Sequence, residues 1–111
     1  VPDTHLHRIG PALEKIEADF TENGLSVAEL ASLCGISEAY FRRIFLDKFG
    51  ISPKEYIIRL RLDYACRLLV SREFSVSEVA TLCGYFEPSH FSREFAKRFG
   101  MPPQEYKKVS K

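Results

Sequence analysis

A stretch that occurs twice constrains this chain more than any other feature. SVAELASLCG, beginning at Ser26, returns as SVSEVATLCG at Ser75, an offset of 49 residues. One extra residue then enters, and the match resumes at an offset of 50. Phe41-Arg42-Arg43-Ile44-Phe45 faces Phe91-Ser92-Arg93-Glu94-Phe95, and Lys48-Phe49-Gly50 faces Arg98-Phe99-Gly100. Pro53-Lys54-Glu55-Tyr56 faces Pro103-Gln104-Glu105-Tyr106. Within 111 residues, about one ordinary domain, this means one supersecondary unit used twice.

The punctuation of each unit is helical. Ser26 with Glu29, and Ser75 with Glu78, read as S-x-x-E capping boxes, in which side chains satisfy the orphan amides of a helix start. Gly35 and Gly84 follow where a left-handed residue would end the helix. Ser37 then offers a new N-cap, and Pro88 suits the first turn of the matching helix in the second unit. Gly50 and Gly100 end those helices, and Ser52-Pro53-Lys54-Glu55 reads as another start. Apolar stripes at helical spacing run through Ile9, Leu13, Ile16 and Phe20, through Phe41, Ile44, Phe45 and Phe49, and through Phe91, Phe95 and Phe99. Tyr56, Ile57, Leu60, Tyr64, Leu68 and Leu69 mark one long helix to about Ser71. With no alternating strand pattern, the chain reads as all-α with about seven helices.

Two short helices joined by a glycine-containing turn make a helix-turn-helix unit. Its sterics ask for a small residue where the helices cross, a turn residue free to take positive φ, and apolar residues that lock the pair. Ala31 and Gly35 meet the first two needs, with Leu30, Cys34, Ile36, Phe41 and Ile44 as the lock. Ala80 and Gly84 repeat the spacing, with Val79, Cys83, Tyr85 and Phe91. One such match is weak evidence; two in register are strong. The expected architecture is a first helix-turn-helix subdomain over 8–51, a linker helix over 52–71 and a second subdomain over 72–108.

On the second helix of each pair, the buried stripe decides which residues are left outside. These are Ala39, Arg42, Arg43 and Leu46 in the first unit, and Pro88, Ser89, His90, Ser92, Arg93 and Lys97 in the second. Arg42 and Arg43 suit a bidentate contact to guanine, a phosphate clamp, or one of each, and Ala39 an apolar contact such as a thymine methyl.

YFRRIF…FGISPKEY in the first unit, and CGY…SHFSREFAKRFGMPPQEY in the second, resemble the AraC/XylS family of bacterial transcription regulators, with RLRLDYACRLL similar to that family's linker helix. The likeness runs from about His7 to Lys108. It implies two helix-turn-helix subdomains that read neighbouring major-groove segments of double-stranded promoter DNA in the cytoplasm, with no cofactor. Base-reading positions carried over by motif fall on Ala39, Arg42 and Arg43, and on Ser89, His90 and Arg93. Phosphate contacts are expected from the capped helix starts near Ser26 and Ser75, from Lys48 and Lys97, and from Arg59 or Arg61. The resemblance also implies a longer regulator. In that case this domain is expected to be monomeric, dimerisation or effector binding comes from elsewhere, and RNA polymerase is a candidate further partner. The chain begins at Val1 rather than at a methionine, as an excised fragment would. A linker helix of roughly 18 residues is about 27 Å long, against a major-groove repeat of about 34 Å.

Three features depart from the family pattern. Glu94 stands where the first unit has Ile44, Pro88 brings no side-chain donor, and the Phe86-Glu87 pair is unusual before the second recognition helix. Glu87 would repel phosphate if it faced DNA.

A formal net charge of +1 looks wrong for a DNA binder. Divided along the chain, it is a gradient: residues 1–36 net −4, residues 37–72 net +4, and the remainder +1. The basic third holds the first recognition helix and the linker. The small total predicts modest non-specific affinity and reliance on two well-matched half-sites.

Other function classes rank lower. No apolar run approaches the ~20 residues of a spanning helix, and no signal peptide opens the chain. Three cysteines without metal-type spacing argue against a disulfide framework. Cys34 and Cys83 precede the turn glycines and read as small core residues rather than a redox switch. His5 and His7 lack a third metal ligand. Without a phosphate loop, metal cluster or catalytic pair, an enzyme is not expected. The rival reading is a helical protein-interaction module that does not bind DNA.

Overall fold

The computed structural model describes residues 7–110, which leaves His5 and Val1 outside the described residues. Among the described residues seven helices follow in order: α1 (Gly10–Asp19), α2 (Val27–Leu33), α3 (Glu38–Phe49), α4 (Pro53–Ser71), α5 (Val76–Leu82), α6 (Pro88–Phe99) and α7 (Pro103–Val109). No strand occurs among the described residues, so the fold is all-α. The chain forms two compact units. One comprises the described residues up to Phe20 with Gly24–Ile58; the other comprises Thr21–Asn23 with the described residues from Arg59 onward.

The helix starts form as the caps predict. Ser26, Ser37, Ser52 and Ser75 each accept a hydrogen bond at 3.1 Å, from the amides of Glu29, Tyr40, Glu55 and Glu78. Ser75 completes the reciprocal box, its own amide donating to Glu78 Oε1 at 2.8 Å. At Ser26 the serine half alone is made. α6 starts differently: Glu87 is its N-cap without a side-chain bond, and Pro88 supplies the first turn.

The helix-turn-helix corners are the same in both units. Ile36 N–H donates to Ala31 O at 3.2 Å and Gly35 N–H to Ser32 O at 3.0 Å. Tyr85 N–H donates to Ala80 O at 2.9 Å and Gly84 N–H to Thr81 O at 3.1 Å. This paired 6→1 and 5→2 bonding is the Schellman termination, and it needs a left-handed residue at the glycine. Gly35 at φ +67° and Gly84 at φ +95° supply it.

Each unit closes on a ladder of aromatic rings. Phe45 lies 5.8 Å from Phe41, 4.5 Å from Phe49 and 5.2 Å, edge-on, from Tyr56. Fifty residues on, Phe95 lies 5.7 Å from Phe91, 4.6 Å from Phe99 and 5.4 Å, edge-on, from Tyr106. Tilted and edge-on rings at these separations suit the aromatic quadrupole. Ile9, Ala12, Ile16, Leu30 and Ala31 complete the first core, and Val79, Ala80, Cys83 and Tyr85 join the second.

The stripe read for the long helix needs correction. Ile57 and Leu69 are buried as expected, but Tyr56, Leu60, Tyr64 and Leu68 are only half-buried, while Leu62 and Ala65 are fully buried. The two ends of α4 serve different cores, since the unit boundary falls at Ile58/Arg59. No single helical stripe describes such a helix.

Candidate nucleic-acid interface

α3 and α6 turn their phenylalanines inward and a short polar face outward. On α3, Phe41, Ile44 and Phe45 are buried, and Ala39, Arg42, Arg43 and Leu46 are exposed. On α6, Phe91 and Phe95 are buried, and Ser89, His90, Arg93 and Lys97 are exposed. All six residues carried over as base-reading positions are therefore accessible, three on each helix.

Their electrostatics differ in detail. Arg42 Nη2 sits 3.1 Å from Glu38 Oε1, one turn away. An exposed i,i+4 pair of this kind contributes about 0.3–0.5 kcal/mol, too little to hold Arg42 against a buried or multidentate partner. Arg43 and Arg93, 50 positions apart, make no ion pair among the described residues. His90 stacks edge-on against Tyr85 at 5.3 Å, with its Nε2 3.9 Å from Glu94 Oε2. That contact answers the Glu94 departure. Where Ile44 is buried in the first unit, Glu94 stays half-buried beside His90.

Of the residues expected at phosphate, Lys48, Arg59 and Lys97 are exposed. Ser26 and Ser75 are exposed too, and although each hydroxyl oxygen accepts from its own helix, its proton remains available to donate. Arg61 is placed otherwise. Its Nη2 donates to the Glu22 carbonyl at 2.7 Å, and its guanidinium lies 5.8 Å from the Tyr85 ring centre. Burial pulls its pKa below the ordinary arginine value, against the opposing pull of Tyr85 and Cys83. It is a clasp inside the second unit, holding the Thr21–Asn23 strip, and nothing in the sequence pairs residues 22 and 61. We expect Arg61→Met to lower unfolding stability by about 1–3 kcal/mol and to leave the salt dependence of DNA binding unchanged. A slope reduced by about one unit would put Arg61 on a phosphate instead.

All three cysteines are free. Burial pushes the Cys83 thiol up to about 12, so it stays protonated at neutral pH, as a core residue should. Burial also raises the Cys66 thiol. Among the described residues, no three His, Cys, Asp or Glu side chains group as a metal site, and no helix is long and apolar enough to cross a membrane.

Residues 30–108 match a family described as "Helix-turn-helix domain". This chain belongs to the AraC-type helix-turn-helix family. A probable transcriptional regulator, LumQ of Photobacterium leiognathi, is 40% identical over 82 residues, covering 74% of this chain and 33% of LumQ. Among solved structures, a transcriptional regulator with an AraC-type DNA-binding domain from Chromobacterium violaceum superposes with a TM-score of 0.78 at 27% identity. It covers 93% of this chain and 91% of that one. The DNA-binding domain of the global transcriptional factor AdpA, solved with a target DNA, superposes at 0.79 with 29% identity, covering 89% of this chain and 91% of AdpA's. This AraC-type domain spans about a quarter to a third of the length of the curated relatives it matches.

Proposed function

We propose that this domain is the DNA-reading part of a bacterial transcription regulator, with α3 and α6 as recognition helices in two neighbouring major-groove segments of promoter DNA. The observation that carries this is the repeated pair Arg43 and Arg93. They sit in register in the two units, on the faces opposite the buried phenylalanines, exposed and outside any ion pair among the described residues. A guanidinium so presented suits the O6 and N7 edge of guanine. Around them, Ala39, Arg42, Ser89 and His90 complete the base-reading faces. Lys48, Lys97, Arg59 and the helix starts at Ser26 and Ser75 contact phosphates. Effector response, dimerisation and contact with RNA polymerase belong to the whole regulator, working in the cytoplasm beside the chromosome.

The test is equilibrium binding to duplexes selected from a random pool, repeated across a salt series. Affinity should fall linearly on logarithmic axes as salt rises. Arg43→Ala should cost about 1–3 kcal/mol on the best site and relax preference within one half-site; Arg93→Ala should do the same in the other half. Equal weakening on every sequence would make them phosphate clamps. No detectable binding at any salt concentration would favour the protein-interaction module.

A further inference from the structure

The corners of the two units differ by one residue. In the first, Gly35 and Ile36 separate the C-cap Cys34 from the N-cap Ser37. In the second, Gly84, Tyr85 and Phe86 separate Cys83 from Glu87. Tyr85 does the work of Ile36: its amide bonds the alanine carbonyl of the preceding helix and its side chain is buried. The added residue is therefore Phe86, and it takes no part in the lock. It is 84% exposed, whereas each of the other eight phenylalanines is buried or half-buried. A lone exposed aromatic is common on protein surfaces. Its register is what distinguishes this one: it directly precedes the N-cap of α6, three residues before the exposed Ser89 and four before the exposed His90.

We propose that Phe86 is a specificity residue that packs against a thymine methyl at the edge of the half-site read by α6. The proposal rests on the reading of α6 as a recognition helix. In helix-turn-helix proteins the N-terminal residues of that helix meet the base edges, so a residue just ahead of the N-cap lies at the mouth of the same groove. A phenyl ring has no donor for a phosphate, and the neighbouring carboxylate of Glu87 disfavours one further. On the base edges of the major groove the apolar group is the C5-methyl of thymine, to which phenylalanine is a known complement. Burial of the ring against that methyl makes its contribution sequence-dependent.

The test replaces each thymine of the best selected duplex, one at a time, with deoxyuridine, which removes the methyl and keeps every hydrogen-bonding group. The wild-type domain should bind about fourfold more weakly at one position or two adjacent ones in the α6 half-site, the scale of burying one methyl-sized group. Phe86→Ala should bind the parent duplex more weakly by a similar factor and be indifferent to those replacements. Arg43→Ala should keep the sensitivity. Because Phe86 is exposed, Phe86→Ala should unfold at the wild-type urea midpoint, so a loss of binding reports on the interface. The proposal is overturned if Phe86→Ala binds as wild type does, if it keeps the wild-type deoxyuridine profile, if it weakens every duplex alike, or if the selected half-site holds no thymine. If neither protein binds any duplex, the reading of α6 as a recognition helix fails with it, a result distinct from intact binding without methyl sensitivity.

Discussion

Phe95→Ala is expected to remove about 3–5 kcal/mol of unfolding free energy, read from the urea midpoint at constant slope. The ring is fully buried and touches three others, with centroids 4.6–5.7 Å away on Phe91, Phe99 and Tyr106. Truncation strips the ladder of its middle member. The neighbours are held by helices on both sides of the gap, so they can close it only in part. Small domains have about 5–15 kcal/mol in total, so the substitution takes a large fraction of it. Phe45→Ala should behave similarly, because Phe45 holds the matching place between Phe41, Phe49 and Tyr56. A loss below about 1 kcal/mol would mean that the rings repack freely and that the ladder is not what holds each unit.

Gly84→Ala should be the costlier of two substitutions that look equivalent in sequence. At Gly35 an added Cβ meets nothing within 4 Å, so alanine faces only the left-handed backbone, a penalty of about 1–2 kcal/mol. At Gly84 the same Cβ would lie 2.5 Å from Thr21 O and 2.9 Å from Thr21 C. Both are backbone atoms, which cannot rotate away as a side chain could. Shifting them disturbs the strip that Arg61 clasps at Glu22. Steric displacement of this kind adds about 1–3 kcal/mol, giving about 2–5 kcal/mol in all. Parallel urea titrations of the two variants decide it, and equal losses would show that the Thr21 backbone does not press on Gly84.

Much of this protein was legible in its sequence because the deciding interactions are local. Capping serines, proline at the first helical position and the Ala-to-Gly spacing each act within one or two turns. The stripes on α3 and α6 each face a single core, so their outward residues, Ala39, Arg42, Arg43, Ser89, His90 and Arg93, could be named in advance. The reading was poorer wherever one element answers to two environments. α4 has buried residues belonging to both cores, which is why Leu62 and Ala65 escaped a one-stripe reading. Glu94 sits at a position that packs in the first unit and lies 3.9 Å from a histidine nitrogen in the second.

The sequence by itself determined the repeat, the seven helices of the described residues and the outward faces of α3 and α6, since periodicity and capping act over a few residues. Only the tertiary structure decided which copy of the turn is sterically closed, which arginine is committed inside the protein, and which phenylalanine is left in water. Those three facts depend on Thr21, Glu22 and Tyr85 meeting residues that local spacing does not bring to them, or on one residue inserted into an otherwise equal turn. Distant backbone atoms set the requirement at Gly84 and engage Arg61 at the Glu22 carbonyl. No pattern read along the chain contains those distances.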